Sequence, residues 1–324
     1  MSYPLPIVAI VVPCYNEKEI LANSLEILSN KLKDLASQGI VSGESYILCV
    51  DDGSIDCTWE IIKSFYAKPS VHVRGIRLSA NSGHQNALWA GLKYACNHTD
   101  AIISLDADLQ DDIEVFKDFV AEYKNGVDIV YGVRNDRRTD SFVKRSFAEL
   151  FYKMMAFLGV TTVYNHADFR LMSQRAVKAL LEYEEVNLYI RGLVPLLGFR
   201  HSVVLYARKP ATRPTHYSIA KMLRLVWDGV TSFSIRPIQC ISALGVLFLV
   251  LGLALLTYTC ASYFYLGSVS PWSCLFTLII SLGAVQLLSL GLIGEYIAKT
   301  YIEVKHRPKY HICDTLDSGD RPSS

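Results

Sequence analysis

The chain lacks a surplus of basic residues: its 324 residues include 32 Lys and Arg against 31 Asp and Glu. Because nucleic-acid-binding domains are usually strongly basic, this balance argues against a nucleic-acid partner. The chain also lacks a CxxC pair and a Cys/His cluster at zinc spacing, although it contains eight cysteines. We therefore expect reduced thiols in apolar surroundings and no zinc site. The opening residues, MSYPLP, show no pattern of a cleavable signal peptide.

Charged side chains are absent between Arg236 and Glu295. Two apolar segments in this region, 238–265 and 272–297, are each long enough for a helix across a bilayer core, which takes about 20 residues. Two buried core helices are the alternative. Arg and Lys flank the pair of segments and the loop between them is uncharged, so the positive-inside rule predicts that both termini are cytoplasmic. We expect a cytoplasmic domain at the inner cell membrane, anchored by a C-terminal hairpin of two transmembrane helices.

Short β-branched runs alternate with helical patterns in the N-terminal half of the chain. The predicted strands are 7–12, 46–50, 71–78, 101–105 and 127–133. The predicted helices are 17–36, 56–66, 82–96 and 112–124. This alternation is typical of an α/β domain with a mostly parallel sheet. Ser82 and Gln85 also fit a capping box at the start of the third helix.

Polar clusters follow four of these strands: PCYNE (13–17), DDGS (51–54), NSGHQ (81–85) and DADLQ (106–110). In an open α/β sheet, the carboxyl ends of the strands form one edge, where ligands bind. We therefore expect a ligand site at this edge. Neither GxGxxG nor GxxxxGK[ST] occurs, so neither a dinucleotide fingerprint nor a P-loop explains the clusters.

The stretch DADLQDD places four carboxylates close together. Asp106 and Asp108 follow a buried strand, and such a pair suits Mg²⁺ or Mn²⁺, which takes oxygen ligands and neutralises a diphosphate leaving group. An acidic loop that caps the next helix is the alternative. Asp111 and Asp112 fall at the start of that helix, where its dipole favours negative charge. Asp51 or Asp52, at the neighbouring strand end, is a candidate acceptor for hydrogen bonds from a nucleobase or ribose.

Segments 141–159 and 218–235 each place apolar side chains on one helical face and basic side chains off it. Such helices usually cover a core. Their aromatic and basic character, and their approach to the predicted anchor, equally favour helices that lie in the membrane interface.

Five motifs resemble glycosyltransferase family 2 in order and spacing: PCYNE, VDDGSIDCT, NSGHQNALWAGL, DADLQD and DFRLMS. The resemblance spans nearly the whole chain. Through NLYIRG, DGVTSFSIRP and the tail GLIGEYIAKTYIEVKHRPKY, the chain looks more narrowly like the bacterial polyisoprenyl-phosphate (bactoprenol) glucosyltransferases, relatives of dolichyl-phosphate mannose synthase. This resemblance implies a GT-A fold and an inverting transfer from a nucleotide sugar, with UDP-glucose as the expected donor. It also implies a polyprenyl (undecaprenyl) phosphate acceptor, the cytoplasmic membrane face and a homotetramer.

The same resemblance assigns roles to individual residues. Asp108 matches the metal ligand for Mg²⁺ or Mn²⁺ and, with Asp168 of DFRLMS, the catalytic positions. The nucleotide-sugar-binding candidates are Pro13, Tyr15, Glu17, Asp51, Asp52, Asp106 and Gln110. The candidates for contact with the acceptor phosphate are Arg134, Lys144, Arg191 and Arg208.

Asp168 matches the residue proposed as catalytic base, but the chemistry of the acceptor leaves a second role open. A phosphate monoester has a second pKa of about 6 and is largely ionised at neutral pH, so it needs little deprotonation. Asp168 is then a residue that orients a cationic partner or the acceptor. Simple pairing with the nearby Arg170 is a further alternative.

The sequence departs from the family pattern at two places. Ala80 replaces the Arg that usually precedes the Asn of NSG, and Arg77 is a nearby substitute. RPTHY (213–217) replaces a Gly-x-Ser/Thr-Lys-aromatic stretch, with Arg213 and His216 at the changed positions. The donor sugar therefore stays open, with GDP-mannose, UDP-GlcNAc and a modified pentose as alternatives to UDP-glucose.

Two other classes of protein are weaker fits. A processive polysaccharide synthase would carry QxxRW, which is absent. A non-catalytic nucleotide-sugar sensor or membrane scaffold would tolerate loss of the acidic motifs, which are intact. We accordingly divide the chain into a nucleotide-sugar-binding part (1–140), an acceptor and catalytic part (141–235), two transmembrane helices (236–299) and a cytoplasmic tail (300–324).

Overall fold

The computed structural model describes residues 4–68, 72–134, 166–185, 188–207 and 271–317, together with positions 247, 250 and 257. The chain divides into two compact units. The first comprises 1–152, 161–216 and 307–324, and the second comprises 153–160 and 217–306.

An eight-stranded sheet organises the first unit. Its strands are β1 (Val8–Cys14), β2 (Tyr46–Asp51), β3 (Val73–Leu78), β4 (Ala101–Ser104), β5 (Ile129–Arg134), β6 (His166–Ser173), β7 (His201–Tyr206) and β8 (Ile312–Leu316). The strand order is β7-β5-β6-β4-β1-β2-β3-β8. The five predicted strands are confirmed, whereas β6, β7 and β8 were not predicted.

The sheet is parallel in its centre and mixed toward its ends. β1 pairs in parallel with β2 and β4, β2 with β3, and β5 with β7. β6 runs antiparallel between β4 and β5, and β8 runs antiparallel along β3. The mostly parallel α/β sheet is therefore confirmed, and the carboxyl ends of β1 to β4 meet at one edge.

Helices cover both faces of the central strands. Those of the first unit are α1 (Leu21–Ser37), α2 (Thr58–Tyr66), α3 (His84–Ala95), α4 (Phe116–Lys124), α5 (Gln174–Leu181) and α6 (Ile190–Leu196), with a 3₁₀ turn at Ile113–Val115. The four predicted helices are confirmed. α1 buries leucines at helical spacing, among them Leu21, Leu25 and Leu28, in a core with the fully buried Ile10 of β1. Hydrophobic burial of this kind is the main force that holds such layers together.

The predicted capping box at the start of α3 is wrong. The N-cap residue is Gly83, with φ of 92°, and it has no side-chain capping bond. The Ser82 hydroxyl donates to the carbonyl of Ala80. Gln85 accepts from the backbone N–H of Ile190 in α6. Both side chains therefore bond to groups other than the backbone N–H groups at the start of α3, which the sequence pattern had assigned to them.

The second unit contains one long helix in the described part of the chain, α7 (Pro271–Val304). The second predicted membrane segment, 272–297, falls within it. Among the described residues, no helix combines the length and the hydropathy needed to cross a membrane. The first predicted segment, 238–265, lies outside the described residues apart from positions 247, 250 and 257, and so do 141–159 and 218–235.

Candidate active site

The loops after β1 and β2 are bound to each other at the carboxyl edge of the sheet. The backbone N–H of Asn16 donates to the Ser54 hydroxyl at 2.9 Å, and the Asn16 side chain accepts from the N–H of Ile55 at 3.0 Å. Of the predicted nucleotide-binding residues here, Pro13 is buried, Tyr15 is exposed and Glu17 is half-buried. These contacts join the two loops that carry the residues predicted to bind the nucleotide.

Asp51 and Asp52 are both buried, and each carboxylate already has partners within the protein. Asp51 lies 3.2 Å from Nε of Arg77, the residue that the sequence suggested as a substitute at Ala80. Asp52 accepts from the backbone N–H groups of Ser82 at 2.7 Å and Gly83 at 3.0 Å. Burial raises the pKa of Asp52, and these two N–H groups oppose the shift. Asp52 therefore holds the loop that leads into α3.

The loop after β4 forms a tight turn around Asp108. Leu109 has φ of 48°, and its N–H donates to the carbonyl of Asp106 at 3.3 Å. The Asp108 carboxylate accepts from the backbone N–H of Gln110 at 3.2 Å and from its side-chain amide at 2.6 Å. Because Asp108 is exposed and Gln110 is buried, the turn presents the carboxylate outward.

The two remaining carboxylates of DADLQDD have different structural roles. Asp112 accepts from the N–H of Glu114 at 3.1 Å and caps the 3₁₀ turn, as predicted. The capping role suggested for Asp111 is wrong. Its buried carboxylate accepts from the hydroxyl of Tyr206 and lies 3.5 Å from Nη2 of Arg134. Asp111 therefore ties this loop to β7.

Asp168 lies in β6 and is held by two arginines. Nη2 of Arg170 donates to its Oδ1 at 2.6 Å. Arg191, at the start of α6, donates from Nε at 3.1 Å and from Nη2 at 2.8 Å. Burial alone would raise the pKa of Asp168, but His84 and the two guanidinium groups hold that pKa well below its usual range. The carboxylate is therefore a weak base.

Arg170 lies wholly inside the sheet layer. It is 0% exposed, and its backbone pairs with Ser104 on β4 and Tyr131 on β5. Among the residues that the structure describes, its Nε and Nη1 have no hydrogen-bond partner. Burial lowers the pKa of Arg170, while the charge of Asp168 opposes this shift. Asp168 is thus required to keep a buried guanidinium charge compensated.

His84, in the first turn of α3, lies between the carboxylates of Asp106 and Asp168. Its Nε2 lies 3.7 Å from a carboxylate oxygen of Asp106 and 3.7 Å from one of Asp168. Burial lowers the pKa of His84, but the two carboxylates outweigh burial and raise it. Burial also raises the pKa of Asp106, whereas His84 opposes that shift. Sequence reasoning gave His84 no role, although it stands in the NSGHQ motif.

The structure brings together some of the predicted site residues and separates others. Asp106, Asp168 and Arg191 form one cluster around His84. Arg134 lies with Asp111 and Tyr206.

Lys144 and Arg208 fall outside the described residues, as do Arg213 and His216. Gln85 and Tyr206 were missed, because their roles depend on partners far away in the sequence.

The acidic loop fits a shared metal site better than an all-protein one. In the described part of the chain, no group of three or more His, Cys, Asp or Glu side chains could hold a metal ion. Mg²⁺ is often bound by one or two carboxylates together with substrate phosphates. The outward-facing Asp108, with Asp106 two residues away in the loop after β4, supplies a donor set of that kind.

Comparison with known proteins agrees with this fold. The profile of glycosyl transferase family 2 matches residues 9–181. The uncharacterized glycosyltransferase YkoT of Bacillus subtilis (strain 168) is 44% identical over 322 residues, which cover 96% of this chain and 93% of that protein. The prophage bactoprenol glucosyl transferase homolog of Escherichia coli (strain K12) is 33% identical over 308 residues, which cover 94% and 98%. The bactoprenol glucosyl transferase of Shigella phage SfV is also 33% identical, covering 94% and 97%.

Solved structures give a more distant likeness. S. aureus TarS 1-349 aligns with a TM-score of 0.42 and 19% sequence identity, covering 61% of this chain and 58% of that chain.

The α/β sheet of GT-A type, together with the match to the family profile, defines a sugar-transfer enzyme. The chain belongs to glycosyl transferase family 2 and is a glycosyltransferase.

Proposed function

We propose that the enzyme transfers glucose from UDP-glucose to a polyprenyl phosphate, with inversion at the anomeric carbon. The main support is the 33% identity, over 94% of this chain, to proteins named bactoprenol glucosyl transferase. The cluster of Asp168, Arg191 and His84 beside Asp106 adds a physical reason, because a reaction between two phosphorylated substrates needs both cations and ordered carboxylates.

The proposed reaction exchanges one bond for another. An oxygen of the acceptor phosphate attacks the anomeric carbon of the sugar, and the bond from that carbon to the diphosphate breaks. UDP leaves with the bonding electron pair. Because the acceptor phosphate is already largely ionised at neutral pH, no protein base has to remove a proton.

The residues of the cluster then have separate tasks. Asp168, with its lowered pKa, orients the guanidinium of Arg191, which is 40% exposed and attracts the acceptor phosphate. The joined loops that carry Tyr15, Asp51 and Asp52 face the nucleotide. Asp108, with Asp106, would hold Mg²⁺ or Mn²⁺, which when bound offsets the negative charge of the diphosphate.

We also propose that segments 238–265 and 272–297 attach the enzyme to the cytoplasmic face of the inner membrane and that it works as a homotetramer. The support for the anchor is the lack of charge between Arg236 and Glu295 and the basic flanks, whereas the tetramer rests on the family resemblance alone. Extraction of membranes with alkaline carbonate tests the anchor. Release of the full-length chain into the supernatant would contradict it, and a mass measurement in detergent tests the tetramer.

A donor screen tests the reaction. The purified full-length chain is incubated with polyprenyl phosphate, Mg²⁺ and radiolabelled UDP-glucose, UDP-GlcNAc, GDP-mannose or a UDP-pentose, and the lipid products are separated by thin-layer chromatography. We expect label in the lipid phase with UDP-glucose. Label from another donor would correct the sugar, and no labelled lipid with any donor would favour a nucleotide-sugar sensor.

A further inference from the structure

The N-terminus of α6 is completed by a side chain from another helix. The first N–H groups of any helix lack intrahelical partners. α6 follows Tyr189, whose side chain makes no capping bond, and its first residue, Ile190, is fully buried. The N–H of Ile190 donates to Oε1 of Gln85 at 3.1 Å, across 105 positions of sequence. Gln85, which lies in α3, therefore provides the acceptor that the first N–H group of α6 lacks within its own helix.

The capped turn carries Arg191. The N–H groups of Gly192 and Leu193 both donate to the carbonyl of Tyr189, at 2.8 and 3.1 Å, so the turn around Arg191 is closed on itself. With Pro195 inside its seven residues, α6 is too short to be held rigidly by its own hydrogen bonds. The bond to Gln85 lies one residue from Arg191 and fixes where that turn begins.

The same end of α3 is tied to the nucleotide side of the site. Asp52 binds the N–H groups of Ser82 and Gly83, directly before α3 begins. His84 follows, between Asp106 and Asp168. Gln85 is the next residue. The consecutive residues Gly83, His84 and Gln85 therefore connect the loop on the nucleotide side to α6, the helix that carries Arg191.

We propose that Gln85 is a positioning residue for Arg191, which sets the guanidinium in place for the acceptor phosphate. The inference rests on the proposed function, because it takes Arg191 as the group that meets the acceptor. In this proposal Gln85 acts through the backbone of α6, by way of its hydrogen bond to the N–H of Ile190. It is therefore expected to control the affinity for the lipid phosphate and to leave the nucleotide sugar and the chemical step unchanged.

The kinetic test uses full-length Gln85→Ala and Gln85→Glu in detergent. Gln85→Ala loses the accepting oxygen, so we expect the KM for polyprenyl phosphate to rise about threefold to tenfold, as for loss of a helix cap. The KM for the nucleotide sugar and kcat should stay within about twofold. Gln85→Glu keeps an accepting oxygen and should restore the acceptor KM.

Gln174→Ala is the matched control. Gln174 donates from its side-chain amide to the carbonyl of Cys96 at 2.8 Å, so it makes a tie of the same kind at the other end of α3. Its removal should leave the acceptor KM within about twofold of the original enzyme. Amide hydrogen exchange gives a second readout, since Ile190 should exchange faster in Gln85→Ala and return to slow exchange in Gln85→Glu.

Two results would overturn the inference: an unchanged acceptor KM in Gln85→Ala while Ile190 exchanges faster, or an equal rise in Gln174→Ala. Failure of the proposed function has a different signature, since the unmodified enzyme would then label no lipid. In that case the proposed effect of Gln85 on binding of the lipid phosphate is contradicted too. Amide hydrogen exchange at Ile190 still reports whether Gln85 holds α6.

Discussion

At the scale of single residues, Asp168 is balanced against two guanidinium groups and has little capacity to take up a proton. A general base works best when its pKa lies near the working pH. The pKa of Asp168 is held well below its usual range, and the proposed acceptor, a phosphate monoester, is already largely ionised at neutral pH. The geometry therefore favours a role in which the Asp168 carboxylate orients a cation over a role as catalytic base.

Replacing Asp168 by Asn should destabilise the protein strongly. Arg170 would be left as a buried charge without a carboxylate, and breaking such a pair costs about 3–5 kcal/mol. Because the folded pKa of Asp168 lies below the unfolded value of about 3.9, its contribution is present above that pH and is lost as the pH falls through the folded pKa. Denaturant unfolding should show a large gap between the two proteins at pH 7, shrinking below about pH 4.

Asp112→Asn is the control for that substitution. Asp112 is half-exposed and caps a 3₁₀ turn, and Asn caps about as well as Asp, so the loss should be a few tenths of a kcal/mol. Equal stability of the Asp168→Asn variant and the unmodified protein at pH 7 would contradict the assigned charge balance.

Asp108→Ala should abolish metal-dependent transfer while the fold persists. The carboxylate is exposed and its contacts are with Gln110, so the free energy of unfolding should change by no more than about 1 kcal/mol. Transfer of label to lipid is measured with Mg²⁺ and with EDTA, together with the thermal midpoint. Retained Mg²⁺-dependent transfer would contradict the proposed role of Asp108 as a metal ligand.

At the scale of elements, α3 approaches the sheet through a glycine. A Cβ placed on Gly91 would lie 2.4 Å from Cγ1 of Val11 and 2.8 Å from Cγ2 of Val50. These contacts are far shorter than real ones, so any larger residue must push α3 away from β1 and β2. The first turn of α3 carries His84 and Gln85, and its position depends on this close packing.

Gly91→Ala should therefore destabilise the protein, although Ala favours helix. The overpacking strain is about 1–3 kcal/mol, and the gain in helix propensity is about 1 kcal/mol. We expect a net loss on the order of 1 kcal/mol, measured by denaturant unfolding. Gly43→Ala is the control, because nothing lies within 4 Å of a Cβ at Gly43. An unchanged or higher stability of Gly91→Ala would show that the helix shifts without strain.

At the scale of the whole molecule, the end of the chain completes the sheet. β8 runs antiparallel to β3. Asp314 accepts from the indole N–H of Trp59 at 3.2 Å, and Asp317 lies 3.1 Å from Nη1 of Arg74. The segment after α7, expected to be a cytoplasmic tail, therefore contributes a strand to the unit that contains the candidate active site.

Truncation after Tyr310 should lower stability and promote association. It removes β8, the Trp59–Asp314 hydrogen bond and the ladder to β3, and each net hydrogen bond is worth about 1 kcal/mol. The uncovered edge of β3 is also a template for pairing with another chain. Thermal unfolding with light scattering measures both effects.

A chain that ends after Asp317 is the matched control, because it keeps β8 and the Arg74 contact. Its thermal midpoint should equal that of the full chain. Equal midpoints for both truncations would mean that β8 contributes little to stability.

Sequence patterns predicted the central strands and helices because their signals are local. Runs of β-branched residues ended at polar clusters, and the clusters marked the edge where the candidate site lies. β6 was missed because Asp168 and Arg170 look polar in sequence, and their mutual compensation inside the sheet appears only when β4 and β5 are in place. β7 and β8 pair with strands that are distant in the chain.

By itself, the sequence determined the α/β class, the acidic loop after β4 and the family to which the chain belongs, because these follow from short stretches of neighbouring residues. The tertiary structure alone decided that Arg191 holds Asp168 together with Arg170, that Gln85 caps α6 and that the segment after α7 forms an edge strand of the sheet. The contacts of Arg191, of Gln85 and of β8 join residues far apart in the sequence, which only the folded backbone brings within hydrogen-bond or ion-pair distance.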